Sequence, residues 1–147
     1  MLIAEKKFTI PAPQRRVWNL WGRAIFDSLR GMGKMKVIDE NNFRCEMSVK
    51  AFGFFPMTMY VRGEVIDITP YTSLAVALNI SDRWKLINMV QKVAFSAAAE
   101  KDDATAMVCQ AFVGGLNPLF GWALKGQVRS QVDTIFTGME AKLRDWT

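Results

Sequence analysis

The sequence predicts an α+β domain in which a curved, seven-stranded antiparallel sheet surrounds a long C-terminal helix, with two short helices after the first strand. Three observations carry this. Residues 43–50 (Phe-Arg-Cys-Glu-Met-Ser-Val-Lys) alternate apolar and polar without a break, and residues 57–65 repeat the pattern. Such alternation marks strands with one wet face. Residues 117–147 instead place Phe120, Leu124, Val128, Val132, Ile135, Phe136, Met139 and Leu143 at helical spacing, with Lys125, Arg129, Asp133 and Glu140 opposite. A single apolar stripe of this kind needs a surface to lie against.

The elements follow in order. Lys6–Ile10 reads as a strand ended by Pro11-Ala12-Pro13. Gln14–Leu29 carries Val17, Trp18, Leu20, Trp21, Ile25, Phe26 and Leu29 at helical intervals, and Gly22 is predicted to split it into two short helices. Gly31-Met32-Gly33 leads into a strand over 34–39, and Asn41-Asn42 supplies a turn. After the strands at 43–50 and 57–69, Pro70-Tyr71 turns into Leu74, Val76, Leu78 and Ile80, again every second residue. Residues 89–100 and 105–113 form a hairpin across Lys101-Asp102-Asp103. Asn117 then suits an N-cap and Pro118 the first helical position. Sequential strands with short links imply an antiparallel meander.

At 147 residues the chain fits one domain, 1–147, large enough to need no metal or disulfide staple. Cys45 and Cys109 lie in separate strand-like runs and read as buried thiols of a cytoplasmic protein. Charge begins at Glu5, too early for a signal peptide. Ala104–Leu124 is uncharged, but Gly114-Gly115 and Asn117-Pro118 fit strand, turn and helix better than a membrane span. A net charge of +5 favours acidic partners or an anionic membrane surface, peripherally bound from the cytoplasm. No basic run interleaves with aromatics, so nucleic acid is not expected as a partner.

The chemistry of the side chains is narrow. There is no histidine, so the usual base near neutral pH is missing. Glu46, Glu64 and Tyr60 alternate outward, and Asp39, Glu40, Asp82, Asp102 and Asp103 fall in turns. No catalytic residue, cofactor or metal site is expected. Nine Met suit irregular, tolerant apolar surfaces. The inward positions Met47, Val49, Met59, Val61, Leu78, Val93 and Phe95 of the sheet, with Phe120, Leu124 and Val128 of the helix, are candidates to line a ligand pocket. Phe26 and Met32 are placed to close its mouth, and Gln91 and Gln110 to supply its polar groups. Phe52, Phe54 and Phe55 sit in an aromatic hairpin tip suited to a membrane, a redox-enzyme partner or a second copy of the chain in a homodimer.

Taken together, Phe8-Thr9-Ile10-Pro11-Ala12-Pro13 with Val17-Trp18, then Gly63-Glu64-Val65, Thr105 and Val113-Gly114-Gly115-Leu116, give a pattern that resembles the START/Bet v 1-like (SRPBCC) superfamily. Within it the chain is similar to the group formed by the carbon monoxide dehydrogenase G-subunit and polyketide cyclase-like proteins. It departs at Gly22-Arg23-Ala24 and Leu29–Gly33, where that group has an Asp-Pro-like turn and a Pro-Gly pair. The resemblance implies a helix-grip fold with an apolar cavity for lipids, hormones, polyketides or quinones. With the missing catalytic groups, this leads to the expectation of non-catalytic binding in service of a redox enzyme; the resemblance leaves membrane recruitment of a molybdenum hydroxylase or a cyclase/dehydratase activity as alternatives.

Overall fold

The computed structural model describes residues 2–51, 55–81, 86–98, 101–114 and 121–147. Nine elements follow one another: β1 (Leu2–Ile10), α1 (Gln14–Met32), β2 (Gly33–Val37), β3 (Asn42–Ala51), β4 (Phe55–Thr69), β5 (Ser73–Ser81), β6 (Leu86–Ala98), β7 (Lys101–Gly114) and α2 (Gly121–Trp146). The strands form one curved antiparallel sheet in the order β1-β7-β6-β5-β4-β3-β2. The first two strands are therefore its two edges, and α1 carries the chain from one to the other. Register shifts between Val65 and Asp67 and between Ala97 and Ala98 add the local twist that curls long strands.

Alternation sets the faces. Cys45 and Met47, Met59 and Val61, Leu78 and Ile80, Met89 and Val93, and Met107, Cys109 and Ala111 are all buried on the inner side. The helices cover that side. On α2, Val132, Ile135, Phe136, Met139 and Leu143 are each at most 6% exposed. Its C-terminal half is tied down at several points. Lys6 Nζ lies 2.9 Å from Glu140 and donates to Thr137 Oγ1 at 3.2 Å. Arg16 donates to the Trp146 carbonyl at 3.2 Å, and the Arg23 guanidinium sits 4.8 Å over the Trp146 ring. Burial alone would raise the Glu140 carboxyl, but hydrogen bonds and charge from Lys6 and Arg144 outweigh it and hold the group below its ordinary value. A depressed carboxylate stabilises the fold above its unfolded pKa and loses that contribution as pH falls through the folded one.

One expectation fails here. The two short helices predicted around Gly22 are a single helix of 19 residues. Glycine inside a helix costs about 1 kcal/mol relative to alanine, which is a local penalty. Val17 and Ala24, on either side of Gly22, are completely buried, while Gly22 itself faces open space. Packing on both flanks carries the helix through.

The start of α1 is fixed by other means than a side-chain cap. Gln14 Nε2 donates to the carbonyls of Tyr71, at 2.5 Å, and Phe95, at 3.1 Å. Thr105, 0% exposed, donates its hydroxyl to the Ala12 carbonyl at 2.7 Å. That bond joins β7 to the Pro11–Pro13 bend. Thr105→Val keeps the shape but removes the donor. Leaving a buried acceptor unmatched should cost about 1–3 kcal/mol, read as a lower urea midpoint. Thr105→Ser, which keeps the hydroxyl, should lose less; equal losses would mean the methyl and not the bond matters.

No helix among the described residues is long and apolar enough to cross a membrane. The uncharged stretch from Ala104 is strand as far as Gly114, and α2 begins at Gly121.

Candidate functional site

Sheet and helices do not meet flush. A cavity of about 400 Å³ lies between the inner face of β3–β6, the middle of α1 and the middle of α2. Met47, Met59, Val61, Leu78 and Val93 line it as their alternation predicts, joined by Cys45, Val76, Ile80 and Met89. Trp21 and Ile25 close it from α1, and Gln131, Val132 and Ile135 from α2. At one end it reaches the surface beside the β2–β3 turn. There Val37 and Ile68 line it while remaining 55% and 49% exposed, and residues 39–41 of the turn are exposed.

The wall is apolar with a few placed polar groups, as ligand pockets are. Gln91 projects from β6 between the buried Met89 and Val93. Asp39, at the rim, accepts from the Asn41 backbone N–H at 2.8 Å and from Asn42 Nδ2 at 2.9 and 3.0 Å. The Asn41 N–H first, and the Asn42 amide second, hold its carboxyl below the ordinary value. Among the described residues of the inner wall, the titratable side chain is the Cys45 thiol, which burial pushes up. Cys109, fully buried on β7, is pushed up by burial to about 12. Both are thiols rather than thiolates at neutral pH.

Two expectations need correcting. Phe95 does not line the cavity. It is 2% exposed and packs edge-on against Trp18 (centroids 5.3 Å apart) and Trp21 (6.3 Å). Gln110 points the other way, because on β7 the odd positions face inward. Its Nε2 donates to Glu5 Oε2 at 2.7 Å on the outer side. Phe52, Phe54 and Phe120 lie outside the described residues, as do the side chains of Phe26, Met32, Val49, Phe55, Leu124 and Val128.

Sequence reasoning misses Cys45, Trp21, Gln131 and the Asp39–Asn42 turn as parts of the site. Cys45 is legible, since it shares the inward parity of Met47. The turn is not, because its position over the hollow depends on how the sheet curls.

The opposite face of the sheet carries a second, shallow hollow. Lys36 stands opposite Arg44, and Arg44 opposite Arg62, with Lys34 alongside. Like charges in direct cross-strand register repel. Among the described residues none of these cations has an ion-pair partner.

Solved structures share this architecture over nearly the whole chain. A START superfamily protein from Mycobacterium smegmatis superposes with a TM-score of 0.67 at 10% identity, covering 98% of each chain. The chain shares that protein's fold. A conserved protein from Geobacillus kaustophilus shares that fold at a TM-score of 0.71 and 14% identity, covering 96% of this chain and 94% of its own. So does XoxI from Bacillus cereus, at 0.67 and 8%, covering 97% and 92%. No family model matches the chain, and no curated protein does. At these identities the comparisons show a shared fold and do not show the narrower carbon monoxide dehydrogenase group.

Proposed function

We propose that this protein binds a hydrophobic small molecule, such as a lipid or a quinone, between the sheet and α2, and holds it without chemical change. The observation that carries this is the apolar cavity of about 400 Å³, within the roughly 300–1,000 Å³ of small-molecule sites. The likeness of the fold to a START superfamily protein agrees with it. The resemblance of the chain to the carbon monoxide dehydrogenase group points further, to a quinone or lipid held in the service of a redox enzyme.

Native mass spectrometry tests the reading. Protein as purified should carry a non-covalent adduct. After organic extraction and refolding it should take up decylubiquinone or monoolein at one molecule per chain. Protein that carries nothing and takes up neither probe would sink the proposal.

A further inference from the structure

We infer that the cavity selects an uncharged ligand bearing a carbonyl or hydroxyl oxygen and discriminates against the matching carboxylate, with Gln91 and Gln131 as the residues that recognise the oxygen. This rests on the binding reading above and narrows the class of ligand.

Three observations converge. First, among the described lining residues there is no lysine or arginine. An ion buried against such a wall would give up its hydration with no counter-charge in return, which is strongly unfavourable. Second, the charges that do line the cavity are Asp39 and Glu40, both exposed at its mouth. The Asp39 carboxyl is held in its ionised form by the Asn41 and Asn42 hydrogen bonds. An anion approaching this opening meets like charge. Third, Gln91 on β6 and Gln131 on α2 both line the hollow, and among the described residues neither side-chain amide has a hydrogen-bond partner. Each offers N–H donors and a carbonyl acceptor. Polar groups on an otherwise apolar wall are satisfied by a ligand oxygen and left unmatched by a pure hydrocarbon.

The test compares three probes of similar length by displacement of bound Nile red: tridecane, 2-tridecanone and dodecanoate at pH 8. The ketone should bind at least about tenfold more tightly than the carboxylate. Gln91→Leu and Gln131→Leu, checked for an unchanged circular dichroism spectrum, remove the amides at similar size. At least one should shift the ketone-to-alkane affinity ratio about three- to tenfold toward the alkane, the range of one hydrogen bond. Asp39→Asn with Glu40→Gln should narrow the gap between ketone and carboxylate. Dodecanoate binding as tightly as the ketone overturns the selection while leaving the cavity function intact. A ratio that moves in neither glutamine variant overturns the assignment of these residues. Failure of the protein to take up Nile red or any of the probes overturns the binding reading itself.

Discussion

Val61→Trp should abolish ligand uptake while leaving the protein folded. Val61 lies on β4 between Cys45 and Ile80 on the neighbouring strands, is 6% exposed, and lines the cavity. An indole projected from that point enters the hollow. In a filled core an enlargement of this kind strains its surroundings by about 1–3 kcal/mol. Here part of the added volume occupies space the protein's own atoms leave open, so the strain should fall at or below the low end of that range. The measurement pairs a thermal melt with Nile red titration. A melt near that of the parent with uptake gone is the expected pair. Unchanged uptake by a folded Val61→Trp protein would place the ligand elsewhere.

The largest loss of stability should come from Phe136→Ala. Phe136 is 1% exposed, heads the fully buried side chains by volume, and sits on α2 within the core cluster. Truncations of this type cost about 3–5 kcal/mol, part from lost transfer and part from the cavity left behind. Against a total stability of roughly 5–15 kcal/mol, that is a large share. The melting temperature should fall by about 10 °C or more. Asp133→Ala on the exposed side of the same helix should change stability by no more than about 0.5 kcal/mol. Similar losses for both would mean that α2 is not held by the stripe that includes Phe136.

Most of the architecture is legible without coordinates. Residues 43–50 and 57–65 state their two faces outright, and the inward members Met47, Met59 and Val61 line the cavity. Where the pattern misleads, the cause is a competition that a linear sequence does not display. Gly22 signals a break, but burial of Val17 and Ala24 on either side outweighs it. The inward position of Phe95 is legible from parity. Parity gives the face of a strand and not what the side chain meets there, so it does not show that this ring packs against Trp18 and Trp21 instead of lining the hollow. Gln110 is ambiguous for another reason: residues 104–113 are apolar on both faces, which hides the alternation. Gln131 is hidden because the stripe on α2 reads as core, with the hollow assigned to Phe120, Leu124 and Val128 further up the helix. Gln131, Val132 and Ile135 are the part of α2 that meets the described cavity.

One wall of the cavity has a consequence for how this chain can change over descent. Phe43 on β3 stands directly opposite Gly63 on β4, and its ring fills the space that a Cβ at position 63 would take. That ring also lines the hollow. Positions 43 and 63, twenty places apart along the chain, therefore behave as one heritable unit. A methyl gained at 63 requires the Phe43 ring to move aside or to be given up, and either change would reshape the chamber.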